Sequence, residues 1–367
     1  MPCALDNLNS IMPLPAFEEL PIWLNLVLFA AAAAGVWLAG TRLCHYADAI
    51  ADRKRIGKAM MGFVFLAAAT ELPEMATTII GSIAGEARLV LNNMFGGITM
   101  QTAILAVADA AVPMVALTSY PRKPTPALEG TLLILLLALL LAVSALGDAA
   151  LAWNIGFGSV VFAFAYAGTI VLLRNFDREE PWLPVEVLEE TAAPLTKSLA
   201  RSLDIIPVSR LVWMSLAATL VIFVCGVMLV NLAETLADQT ALGTSFIGVT
   251  LLAASTSLPE LSTTIAAVRL GAFTMAISNI FGSNLIMIAL LLPADILYRE
   301  GVLLDRIDTT ATFALISGMV VSSVYVAGLL LRNRQRVLGM GIDSIIVLII
   351  YSASLVVFYF LTYTEPQ

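Results

Sequence analysis

Ten apolar segments, each about the length a helix needs to cross a bilayer, fill this chain and leave little over. They lie near residues 22–44, 58–82, 87–113, 127–147, 150–173, 208–232, 241–267, 271–298, 308–331 and 341–363. A hydrocarbon core about 30 Å thick takes roughly 20 apolar residues of helix. The fourth segment is the cleanest, almost unbroken from Leu132 to Ala145. A chain of 367 residues with 60% hydrophobic and 13% charged residues is no cytosolic globule and no disordered chain. A net charge of −8 also argues against a nucleic-acid partner, which would want a basic face. The expected class is an all-α multi-pass membrane protein.

The connections carry the charge. Residues 1–21 hold Asp6, Glu18 and Glu19 and no basic residue, so they read as an external segment rather than a signal peptide. The stretch 174–207 is acidic and proline-broken, and reads as a cytoplasmic loop. With the N-terminus outside, 16 of the 19 Lys and Arg fall on inner connections, the last cluster being Arg332, Arg334 and Arg336. Only Arg88, Arg299 and Arg306 fall outside. That bias places both termini outside, in a cell membrane. Cys3, Cys44 and Cys225 show no metal spacing, and the single His45 ends an apolar run. Neither an H-E-x-x-H nor a G-x-S-x-G motif is present, so an enzyme is not expected and no cofactor is called for.

Residues 67–101 and 253–287 align without a gap at an offset of 186, with 13 of 35 positions identical. The matches include Thr70/Thr256, Pro73/Pro259, Glu74/Glu260, Gly85/Gly271, Asn93/Asn279 and Gly96/Gly282. Upstream Gly62 matches Gly248, and downstream Asp109 matches Asp295, so the repeated motif runs over 62–109 and 248–295. Five segments separate the copies. Five is odd, so the copies are inverted in the membrane. The expected architecture is two inverted five-helix repeats, 22–173 and 208–367, the sequence pointer to a secondary transporter.

Three carboxylates sit at bilayer depth: Glu71, Glu74 and Glu260. No Lys or Arg accompanies them there, and a charge at that depth costs about 2.5–3.5 kcal/mol on insertion scales. They must meet a proton or a cation. Pro73 and Pro259 have no N–H and clash one turn back, which should loosen the helices at Ala69–Thr70 and Ser255–Thr256 and release carbonyl oxygens. Carboxylate, carbonyl and hydroxyl oxygens together suit a hard cation. Thr70, Ser257, Ser283 and Gln101 supply further oxygens. Asn93 and Asn279 are read as interhelical hydrogen-bonding residues, Gly96, Gly97 and Gly282 as close-packing positions, and Asp109 and Asp295 as helix-end residues.

At these positions the chain resembles the sodium/calcium exchanger family of cation antiporters. The carriers are Thr256-Ser257-Leu258-Pro259-Glu260 with Gly282-Ser283-Asn284, and the looser Thr70-Glu71-Leu72-Pro73-Glu74 with Gly96-Gly97-Ile98. The resemblance implies that Glu74 and Glu260 are the central ion-binding carboxylates. It implies that Thr70 and Thr256 lend carbonyls, and that Ser257 and Ser283 lend hydroxyls. It also marks departures: Glu71 and Gly97 stand where serine is usual, and Gln101 and Met287 where Asn or Asp is usual. The implied activity is exchange of Ca²⁺ for Na⁺ at a midplane site, with small cations and the bilayer as partners. Glu71, a buried carboxylate beside another, leaves cation/H⁺ antiport as the first alternative, ahead of a non-transport membrane protein.

Overall fold

The computed structural model describes residues 17–112, 114–176, 203, 205–240 and 254–364. Most of the expected loop 174–207 and the first half of the expected seventh segment lie outside these. The helices are α1 (Ile22–Lys54), α2 (Lys58–Thr70), α3 (Leu72–Ile83), α4 (Ala87–Asp109), α5 (Thr125–Leu146) and α6 (Phe157–Phe176). They continue as α7 (Val208–Gln239), α8 (Leu258–Leu270), α9 (Phe273–Leu297), α10 (Thr309–Leu331) and α11 (Ile342–Thr364). Among the described residues eight helices are long and apolar enough to cross a membrane, and α2 with α3, taken together across a 50° bend, pass the same test of length and composition. Helix α8 is the second half of the expected seventh segment. Apart from a two-residue β-hairpin pairing Arg336–Val337 with Met340–Gly341, the described elements are helical, as in a multi-pass membrane protein.

Two helices outrun their apolar cores. Helix α1 has 33 residues, about 50 Å at 1.5 Å per residue, against a core of about 30 Å. Its last turns carry Asp48, Asp52, Arg53 and Lys54, so they stand in the aqueous layer. It ends with Arg55 in the left-handed region, φ 54°, and the basic last turn suits the negative end of the helix dipole. Helix α7 likewise runs to Gln239 rather than stopping near 232.

The chain's connections sort into two ends. At one, Lys58 pairs with Asp48 at 2.5 Å and Asp52 at 2.6 Å. Arg53 donates to the Leu203 and Ile206 carbonyls, and Arg332 to those of Ser119 and Pro121. A cleft of about 280 Å³ lined by Asp52, Lys58, Arg122 and Gly271 lies there. At the other end the Asn92 side chain donates to Asp308, and the Asp148 N–H to Asp305. Arg88 and Asp308 line a second cleft there, of about 730 Å³. This sorting follows the alternation expected from the basic residues.

Helices α4 and α9 form the core, with 67% and 72% of their central windows buried, against 11% for α11 and 22% for α1. Lipid-facing helices show apolar side chains such as Leu26, Leu220, Phe164 and Ile349, which cost nothing against acyl chains. Trp23, Trp153 and Trp213 are exposed near helix ends, where indole rings suit the interface.

Glycine brings the core helices together. Helix α2 carries a π-helical stretch, Met61–Leu66, and its Gly62 lies against the backbone of Met275 on α9. In return Gly282 of α9 lies against the backbone of Phe63. A Cβ on Gly282 would stand 2.4 Å from the Phe63 carbonyl oxygen, with no flexible side chain to give way. Small residues allow this approach where no hydrophobic force draws helices together. Gly282→Val should therefore lower stability by about 3 kcal/mol, the upper range for an overfilled core. A thermal melt of the purified protein checks it, and an unchanged midpoint would show that the two helices can part freely.

Candidate cation site

The repeat symmetry is kept in local geometry. Helix α2 runs through Thr70 and breaks at Glu71 (φ −76°, ψ −5°), after which α3 leaves at 50°. Ser257, the symmetry mate of Glu71, has φ −88° and ψ 4° and opens α8 in the same way. The breaks thus fall after Thr70 and Thr256 rather than at Ala69–Thr70 and Ser255–Thr256. The reason is local: Glu71 still donates its own N–H to the Ala67 carbonyl at 3.0 Å, so helical bonding persists until Pro73 has nothing to offer Ala69. Both glutamate-bearing helices end alike, at Gly85 (φ 80°) and Gly271 (φ 78°), a left-handed turn that glycine adopts without strain. In each, the following residue donates five back, Glu86 to Gly81 and Ala272 to Ala267, both at 2.9 Å.

The two breaks aim carboxylates at the molecule's centre. Relative exposure is 0% for Glu71, 2% for Glu74 and 0% for Glu260. Glu74 lies close enough to feel the charges of Glu260 and Glu71, Thr70 lies beside Glu260, and Ser283 beside Glu71. Gln101 donates to Glu71 Oε1 at 2.6 Å. The remaining oxygens are left over: Glu71 Oε2, Glu74 Oε2, both Glu260 oxygens, Gln101 Oε1 and Ser283 Oγ are buried without a hydrogen-bond partner. A buried polar atom without a partner is costly, and so many in one place call for a ligand. Among the described residues no three acidic, His or Cys side chains converge on one point as in a fixed metal centre. The available oxygens are instead mixed carboxylate, amide and hydroxyl, as an exchangeable hard cation requires.

Other expected residues lie around this centre. Thr256 and Ser257 are buried in the second break. Asn279 donates to Thr263 Oγ1 at 3.1 Å, bridging α9 and α8, and Asn93 is half-buried on α4. Pro73 packs against Gly226 of α7, and Pro259 is buried at the start of α8. Gly97 faces Met287, whose Cε would be 2.9 Å from a Cβ there. Asp109 and Asp295 are not ordinary interfacial side chains. Both are fully buried and clamp loops (below), because each accepts two backbone N–H groups. Two neighbours were not foreseen. Asn284 donates to Thr102 Oγ1 at 3.1 Å and leaves its Oδ1 free, and Tyr166 approaches Glu71 while stacking on Phe63. Asn284 was visible in the Gly-Ser-Asn motif. Tyr166 has no mate in the repeat and gave no signal.

Inverted repeats around buried, ligand-poor carboxylates define a secondary cation transporter. The sodium/calcium exchanger protein family matches the chain twice, over residues 24–174 and 210–360. The two matches are themselves offset by 186 residues, and the chain belongs to this family of cation antiporters. It is 27% identical over 307 residues to the inner membrane protein YrbG of Escherichia coli (strain K12), covering 83% of this chain and 88% of that one. Its fold is that of the sodium-calcium exchanger NCX_Mj. A form soaked with Na⁺ and Sr²⁺ superposes at a TM-score of 0.67 with 15% identity, over 92% of this chain and 99% of that one. A form soaked with zero Na⁺ and Ca²⁺ superposes at 0.65 with 15% identity, over 95% and 100%.

Proposed function

We propose that the protein exchanges Ca²⁺ for Na⁺ by alternating access, with Glu74 and Glu260 as the central ligands. The observation that supports this best is the group of buried, unpartnered oxygens on Glu71, Glu74, Glu260, Gln101 and Ser283. Two ionised glutamates balance one Ca²⁺, and Na⁺ competes for the same oxygens, which makes exchange obligatory. Thr70, Thr256 and Ser257 complete the ligand set at the two helix breaks. Helices α1 and α7, packed on one another and on α8 and α3, are the elements that slide against the rest. Both termini lie outside an inner or plasma membrane, and the loop 174–207 lies in the cytoplasm.

Vesicles loaded with Na⁺ should take up Ca²⁺, and uptake should stop when K⁺ replaces the internal Na⁺. Uptake indifferent to the Na⁺ gradient would overturn the sodium reading. The second reading is cation/H⁺ antiport, favoured by Glu71, a third carboxylate in the break with one oxygen unpartnered. It expects uptake driven by a pH gradient without Na⁺, and that uptake lost in Glu71→Gln. Ca²⁺ uptake unmoved by a pH gradient excludes it.

A further inference from the structure

The pseudo-symmetry gives the Glu74/Glu260 pair two flanks, and the two are chemically unlike. On one flank stand Glu71, Gln101 and Ser283. Gln101 holds Glu71 at 2.6 Å, Ser283 lies beside that carboxylate, and three buried oxygens there have no partner. The residues at the offset of 186 are Ser257, Met287 and Gly97. Met287 takes the place that Gln101 has on the first flank, and Gly97 the place of Ser283. Met287 is 1% exposed, and its Cε fills the room that a side chain on Gly97 would need. A thioether is a weak acceptor, and glycine offers no side-chain oxygen, so this flank holds one hydroxyl and a methyl plug.

We propose that Met287 and Gly97 together close one flank of the Glu74/Glu260 pair to a coupling ion, so that coupling runs through the Glu71–Gln101–Ser283 flank alone. This rests on the cation-antiport reading. The ligand of the open flank is a monovalent cation, Na⁺ or H⁺, because one added carboxylate beside two already matched to a divalent ion carries one further charge. Met287 is then a specificity-determining residue that acts by exclusion, and it sets how many coupling ions each cycle moves. The two departures fit one another: a Cβ at 97 would stand 2.9 Å from the Met287 methyl and push it aside, and a shorter Asn at 287 would leave room beside Gly97.

The full-length protein in vesicles provides the test, with Ca²⁺ uptake read against the internal concentration of the coupling ion, in separate Na⁺ and H⁺ arms. Met287→Gln gives the closed flank the residue the open one already has. The Hill coefficient for the driving ion should rise, since its ceiling is the number of coupled sites. Gln101→Met should raise the half-saturating concentration of the driving ion at least threefold, and Met287→Leu, which keeps the plug, should match wild type. Met287→Asn replaces Met287→Gln if the latter does not fold. A wild-type Hill coefficient in a transporting Met287→Gln or Met287→Asn protein overturns the proposal. Absence of gradient-driven uptake in the wild type instead overturns the antiport reading itself, so the two failures are told apart.

Discussion

Glu260→Gln should bring Ca²⁺ exchange down by at least a hundredfold, while leaving the protein folded and more stable without Ca²⁺. Two unit charges about 4 Å apart interact by roughly 4 kcal/mol at an effective dielectric of 20, and a divalent ion doubles that. Glutamine keeps the shape and an acceptor oxygen but loses this term, of which even half is worth about three decades of affinity. The same change relieves the unliganded state. Both Glu260 oxygens are buried without a hydrogen-bond partner, and a neutral amide spares the unliganded state the cost of a carboxylate that must be either desolvated or protonated there. The combination is diagnostic: lower transport, a higher melting temperature in chelator, and no further rise on adding Ca²⁺, since a ligand stabilises only what it binds. Glu74→Gln should behave alike. Transport within tenfold of wild type, or a Ca²⁺-dependent melting shift that survives the substitution, would place the ion elsewhere.

The largest stability effect is expected at a distance from the ion. Asp109 Oδ1 accepts the N–H of Leu117 at 2.6 Å, and its Oδ2 accepts that of Gly341 at 2.5 Å. Asp295 Oδ1 accepts the N–H of Leu303 at 2.8 Å, and its Oδ2 that of Gly156 at 2.6 Å. Each aspartate thus ties down the loop eight residues on in its own repeat, and the entrance to the last helix of the other repeat. The pair are mates at 186, as are Leu117 and Leu303, and the crossed partners match to within one residue. Asp109→Ala leaves two buried N–H groups without an acceptor, each costing about 1–3 kcal/mol, or about 2–6 kcal/mol together. That is a large part of a stability of about 5–15 kcal/mol. Asp109→Asn keeps one acceptor and should cost about half as much. Asp295→Ala should equal Asp109→Ala, and the double variant should be additive because the clamps sit at opposite ends of the molecule. Melting in detergent micelles measures all four. An Asp295→Ala protein as stable as wild type would show that the second clamp is ornamental.

The helices and the repeat could be read from the letters because both are local. Apolar runs mark where lipid lies, and an ungapped match needs no contact information. The ends of α1 and α7 could not, because helical hydrogen bonding does not stop where hydropathy falls: Asp48 and Asp52 are in helix as surely as Val36 is. The break came one residue later than the prolines suggested, since a missing N–H tells which carbonyl is released but not where the chain turns. At the site, the carboxylates stood out as charges in an apolar background. The clamps and the plug did not, because each depends on a partner far along the chain. Asp109 and Gly341 are 232 residues apart. Gly97 and Met287 were separately odd, and only their contact makes them one feature.

The crossed aspartate clamps bear on how such a chain could arise. A half-length ancestor would carry an aspartate whose second oxygen finds no donor within its own fold, and a helix entrance whose N–H finds no acceptor. A second copy turned over in the membrane supplies both at once, since in a two-fold pair residue i meets j wherever j meets i. The clamp therefore describes an antiparallel homodimer as well as it describes this fused chain. Fusion keeps that bargain of reciprocal bonds while ending the requirement that both halves be alike. Gln101 and Met287, which match at the offset of 186, would then be free to differ.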